Sequence, residues 1–172
     1  MPSRTITGAG FSDDIVAFLR LLAKRRVRYL VVGGEAVIFH GYPRVTGDVD
    51  FFYENSAANV GKLYAVLLDF WENNIPGVHS AAELRAPRLV IQFGRPPHRI
   101  DLMNHIDGVS FVAAWRSRIT VRLQTPSGSV PIRYISLARL VRNKRASGRS
   151  KDSEDARFLS GLVKAQPKRT PR

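Results

Sequence analysis

Between Tyr29 and Phe52 the chain reads YLVVGGEAVIFHGYPRVTGDVDFF, two apolar, strand-prone runs joined by a glycine pair and a short helix-like stretch. This segment constrains the fold more than any other, because side chains at i and i+2 of a strand share a face. Asp48 and Asp50 must therefore stand side by side while Val49 and Phe51 point into the core. Two carboxylates held that close raise each other's pKa unless a cation lies between them. Oxygen-only donors, in a chain without cysteine, suit a hard ion such as Mg²⁺ or Mn²⁺ better than zinc.

Gly33 and Gly34 follow the first strand and precede the helix-like run Glu35 to His40, which closes at the turn Gly41-Tyr42-Pro43. Glycines in that place let phosphate oxygens approach backbone N–H groups at the helix start. A phosphate cradle beside a metal-binding carboxylate pair reads as a site for a nucleoside triphosphate and a divalent metal. Further on, LVIQF (89–93), the turn Gly94-Arg95-Pro96-Pro97 and RIDLM (99–103) form an expected hairpin that carries Asp101 outward between inward Ile100 and Leu102. If that hairpin lies beside the Asp48/Asp50 strand, three carboxylates converge. Arg44, two residues before Thr46, is a candidate phosphate clamp, since a guanidinium fork binds phosphate bidentately.

Gly33-Gly34, Asp48-Val-Asp50 and Asp101 together resemble the nucleotidyltransferase superfamily that includes DNA polymerase β, poly(A) polymerase and the kanamycin-type antibiotic nucleotidyltransferases. GGEAVIFHGYPRVTGDVDFF, RIDLM and NKRASGRSKDSED are similar, more closely, to the minimal prokaryotic members, many of them paired with toxin or antitoxin partners. Many superfamily members carry Gly-Ser where this chain has Gly33-Gly34. The resemblance implies an α+β fold with a mixed, helix-flanked sheet and a C-terminal helical pair. It implies Asp48, Asp50 and Asp101 as metal ligands and catalytic groups, with Asp101 also accepting the hydroxyl proton. Gly33 and Gly34 would hold the β- and γ-phosphates, Lys144 would lie near the nucleotide, and Asp152 and Asp155 would set the helical pair.

The rest of the chain is consistent with one domain over 1–164 and a disordered basic tail over 165–172 (AQPKRTPR). Ser12 reads as the N-cap of an amphipathic helix through Ile15, Phe18, Leu19 and Leu22, with Asp13 and Asp14 at its start and Lys24-Arg25-Arg26 at its end. Val60, Leu63, Tyr64, Leu67, Leu68 and Trp71 recur at helical spacing, marking a core face over 57–71. Trp71 and Trp115 are expected in the core rather than as base-stacking platforms. Residues 119–123 and 130–135 flank Thr125-Pro-Ser-Gly-Ser as a second hairpin, and 137–146 and 151–163 read as two helices separated by Ser147-Gly148-Arg149. His40 is expected to play a structural part at the end of its helix, and His79, His98 and His105 show no metal-ligand spacing. No segment has the length and apolarity of a membrane span, no signal-peptide core is visible, and the absence of cysteine fits a reducing cytoplasm.

Charge adds an independent clue. The net charge is +13, the pI is near 11.0, and residues 108–151 carry ten Arg or Lys without one Asp or Glu. Such a surface is the footprint of a polyanion. With Phe111, Trp115 and Tyr134 the segment's only aromatic residues, phosphate-directed contact with nucleic acid through Arg142, Arg145 and Arg149 is expected over base readout. Two function classes follow: a metal-dependent enzyme moving a nucleoside monophosphate from a triphosphate onto an acceptor hydroxyl of RNA, protein or a small molecule, or a non-catalytic or weakly catalytic nucleotide- and nucleic-acid-binding protein on the same fold.

Overall fold

The computed structural model describes residues 4–7 and 10–165; the basic tail falls, from residue 166 on, outside the described residues. The strands are β1 (Arg4–Thr7), β2 (Tyr29–Val32), β3 (Asp48–Tyr53), β4 (Val90–Phe93), β5 (Arg99–Met103), β6 (Ile119–Thr125) and β7 (Gly128–Tyr134). The helices are α1 (Asp13–Lys24), α2 (Gly33–Phe39), α3 (Ala57–Phe70), α4 (Phe111–Arg116), α5 (Leu137–Ser147) and α6 (Ser150–Ala165). All seven strands form one mixed sheet in the order β1-β6-β7-β2-β3-β5-β4. Pairs β2·β3, β4·β5 and β6·β7 are antiparallel, whereas β1·β6, β2·β7 and β3·β5 are parallel. The architecture is α+β with a C-terminal helical pair, as the sequence implied.

Local chemistry accounts for these elements. Ser12 caps α1 by accepting from the Ile15 amide, and Asp13 and Asp14 sit where the helix dipole favours negative charge. Every residue of β2 is buried, as a continuous apolar run in a central strand requires. Pro126-Ser127 turn the β6–β7 hairpin, and Gly128 at φ +106 takes the positive backbone angle the bend needs. Phe18 of α1 meets Phe51 of β3 and Phe70 of α3 edge-on, with ring centroids 5.4 and 5.3 Å apart. That face of β3 is therefore the core. The opposite face carries Asp48 and Asp50, and further along it Phe52 packs against Phe111 of α4.

Helices α5 and α6 fold back on each other at Gly148, whose φ of +67 ends α5 in the left-handed conformation. The pair is held by charge inside its seam. The buried ammonium of Lys144 bridges Asp152 at 2.5 Å and Asp155 at 3.1 Å, and Ser147 donates to Asp152. Burial pushes the Asp152 carboxyl up, but the Lys144 and Ser147 hydrogen bonds outweigh that and hold it below its ordinary value. Arg44 pairs with Asp155, and Tyr42 stacks on Phe158 and donates to Glu154. These contacts tie the segment before β3 to α6. Among the described residues no helix is long and apolar enough to cross a membrane.

Candidate active site

Parallel pairing of β3 with β5 sets Asp50 opposite Asp101 in register. Because Asp48 shares Asp50's face, the three carboxylates converge, each offering an oxygen within 4.8 Å of the others. Asp101 is not outward in the sense of exposed. It is 4% accessible, covered by Gln92 of β4 and by Arg99 of its own strand, both of which donate to it. Strand β4 completes the sheet beyond β5 and supplies that cover.

Arg99, two residues before Asp101 and on its face, is the residue the sequence reading passed over. Its Nη2 donates to Asp48 Oδ2 at 2.6 Å and to Asp101 Oδ2 at 2.9 Å, while Nε donates to Asp101 Oδ1 at 2.7 Å. One guanidinium thus binds two of the three acids. Asp50 receives no such bond, and burial, then repulsion from Asp48 and Asp101, pushes its carboxyl up to about 7, with Lys144 and Arg99 offsetting part of the rise. Three carboxylates against one guanidinium leave the cluster short of positive charge. Its all-oxygen donor set and that residual charge fit a hard divalent cation.

The glycine pair touches this cluster directly. Gly33 has φ +62, and a Cβ there would lie 1.8 Å from Asp50 Oδ2. Only glycine leaves room for the carboxylate while also accepting that backbone angle. A Cβ at Gly34 would lie 2.7 Å from Thr46 Oγ1, so the Thr46 hydroxyl occupies the space a side chain at 34 would need. Thr46 in turn donates to Asp48 Oδ1 at 2.9 Å. A hydroxyl is thus present beside Gly34, contributed by position 46.

Arg44, Lys144 and Arg149 line the same cleft, whose volume is about 530 Å³. Arg44 and Lys144 are already engaged by Asp155 and Asp152, so both reach the cleft as anchored cations. Glu35, in the first turn of α2, is pushed up to about 7 by burial, a rise that the 3.4 Å hydrogen bond from Tyr134 opposes. His40 contacts the Ile135 carbonyl at 2.8 Å, in keeping with a structural part. Arg142 and Arg145 are exposed on α5, and Arg145 donates to Ser160 of α6. Trp71 packs on Phe70 and Phe93. Trp115 is likewise half-buried and packed against the core, with arginine side chains lying over its ring.

A mixed-sheet α+β domain with a glycine pair set against three clustered carboxylates points to the nucleotidyltransferases as a class. The comparison with known families agrees: over residues 13–164 the chain belongs to the family described as nucleotidyltransferase of unknown function (DUF6036). No curated protein matches the chain.

Proposed function

We propose that this protein is an active, metal-dependent nucleotidyltransferase of the DNA polymerase β-like superfamily, working as one domain over 1–164, that moves a nucleoside monophosphate from a triphosphate to an acceptor hydroxyl. The observation that carries the reading is the convergence of Asp48, Asp50 and Asp101 on one sheet face against Gly33. These three residues would hold Mg²⁺ or Mn²⁺. When bound, the metal neutralises triphosphate charge and lowers the pKa of the attacking hydroxyl.

The chain's own groups do the positioning. The backbone at Gly33-Gly34 and the Thr46 hydroxyl receive the β- and γ-phosphates, and the Arg44 guanidinium and Lys144 ammonium, fixed by Asp155 and Asp152, supply positive charge without a mobile side chain having to be ordered. The acceptor oxygen attacks the α-phosphorus in line, its proton passes to Asp101, and pyrophosphate leaves. Arg99 must first turn away from Asp101, because it covers both carboxylate oxygens. Pairing with a toxin or antitoxin protein and a cytoplasmic site of action rest on the sequence resemblance and composition.

Isothermal calorimetry of a non-hydrolysable triphosphate tests the site. Binding should require Mg²⁺ or Mn²⁺ and vanish in the Asp48→Asn/Asp50→Asn double variant. Equal affinity in EDTA, or in the double variant, would remove the metal site from the account.

A further inference from the structure

Outside the acidic cleft, three guanidinium groups converge on one indole. The Cζ atoms of Arg118, Arg28 and Arg133 lie 4.1, 4.7 and 5.7 Å from the Trp115 ring centre. Each distance is within the range of cation–π attraction. They come from three separate places: just before β2, just after α4, and β7. An indole has two faces, and its quadrupole cannot offset three like charges packed about it. Glu54 neutralises Arg28 at 2.6 Å. Among the described residues neither Arg118 nor Arg133 pairs with a carboxylate, and partial desolvation, then repulsion from Arg133 and Arg28, lowers the pKa of the largely exposed Arg118. Among the described residues the buried Nη1 of Arg133 and Nε of Arg28 find no hydrogen-bond acceptor. The surrounding segment, 108–151, contains no acidic residue.

We infer that Arg28, Arg118 and Arg133 around Trp115 form a phosphate-binding site for a nucleic-acid strand. A backbone phosphate would supply the negative charge the cluster lacks, and the indole edge would meet the neighbouring sugar or base, as in aromatic and arginine grooves that track single strands. Trp115 stacks on Phe111, Phe111 packs on Phe52, and Phe52 lies two residues along β3 from Asp50 on the same face. Packed aromatic side chains therefore lie between this cluster and the three aspartates. The strand's role as the acceptor rests on the transferase reading; its binding does not.

The chain has two tryptophans, so Trp71→Phe leaves Trp115 as the sole indole emitter. In EDTA, with no triphosphate present, a 12-nucleotide single-stranded RNA is titrated into this protein at low salt while Trp115 emission is read, with inorganic tripolyphosphate as a second arm. A saturable change with RNA is expected, weakening with salt with a log–log slope of about −1.5 to −2 for two to three phosphates. Arg118→Ala with Arg133→Gln should weaken binding about tenfold or more while circular dichroism stays unchanged. Arg118→Ala alone, at an exposed position, should weaken it about threefold and serves if the double variant folds poorly. No emission change with RNA, or affinity untouched by Arg118→Ala, would overturn the site. Tripolyphosphate binding as tightly as RNA would overturn the strand as ligand. Because no metal or nucleotide is present, failure of the transferase reading leaves these outcomes unaffected.

Discussion

Replacing Arg99 by Gln separates an internal counter-ion from a passive surface arginine. The side chain makes three charge-assisted bonds, at 2.6, 2.7 and 2.9 Å, to Asp48 and Asp101. Its side chain is 24% exposed, against 28% for the side chain of Asp48 and 5% for that of Asp101. A fully buried pair that loses one partner costs about 3–5 kcal/mol and an exposed pair below about 1. This half-buried case should fall near 2–4 kcal/mol. For a chain of this length that corresponds to a fall in Tm of about 5–15 °C in EDTA at pH 7.5. The same charge argument fixes the response to metal. With one cation removed from among three carboxylates, Mg²⁺ should bind Arg99→Gln more tightly than the wild type, and saturating Mg²⁺ should close part of the stability gap. Scanning calorimetry with and without Mg²⁺ reads both quantities. A variant as stable as the wild type in EDTA, or one whose affinity for Mg²⁺ falls, would refute the assignment.

Other expectations follow from the same contacts. Gly33→Ala should cost more than about 2 kcal/mol and abolish Mg²⁺-dependent thermal stabilisation, because its methyl would meet Asp50 Oδ2 at a strained backbone angle; melting curves with and without Mg²⁺ check it. With Asp50 raised from 3.8 to about 7, the folded protein keeps a proton between those values that the unfolded chain has lost, so in EDTA stability falls as pH rises through that window and is flat above it. Asp50→Asn removes this penalty and should be more stable than the wild type by about 2–4 kcal/mol at pH 8 and equal to it below pH ~4, as urea unfolding at several pH values would show. Lys144→Met leaves Asp152 and Asp155 without their shared ammonium and should cost about 3–5 kcal/mol, visible as early loss of amide protection in α5 and α6 by hydrogen exchange. Asp101→Asn should lower turnover by about 10²–10⁴ with little change in triphosphate affinity, by steady-state kinetics and calorimetry.

A Ser12 cap with amphipathic spacing located α1, helical spacing alone located α3, and the continuous apolar run of YLVV located β2. The i, i+2 rule puts Asp48 and Asp50 together, and the same rule, applied to RIDLM, places Arg99 beside Asp101, the local signal for the guanidinium that the structure shows there. That the hairpin lies beside the Asp48/Asp50 strand was a conditional expectation, and its parallel direction was not foreseen, since strand neighbours are set by long-range packing rather than by local sequence. Two elements carried almost no local signal. Strand β1, RTIT, has one fully apolar residue and depends on β6 for its hydrogen bonds, and α4 is six residues long, capped by Ser110. Trp115 packs on the core as its type suggests, but the arginines around it come from before β2, after α4 and β7, a convergence that only the tertiary fold creates. The partners of Lys144 were anticipated as organisers of the helical pair, but not that both would grip its ammonium.

Release of pyrophosphate from an α-labelled triphosphate, measured with Mg²⁺ or Mn²⁺ together with transfer of the label to added RNA, to the protein itself or to small hydroxyl compounds, tests the central claim most directly. The account predicts metal-dependent pyrophosphate release, with label on one acceptor class, and its disappearance in Asp48→Asn/Asp50→Asn. Triphosphate that binds with metal yet yields no pyrophosphate with any acceptor, or release that persists undiminished in the double variant, would contradict it.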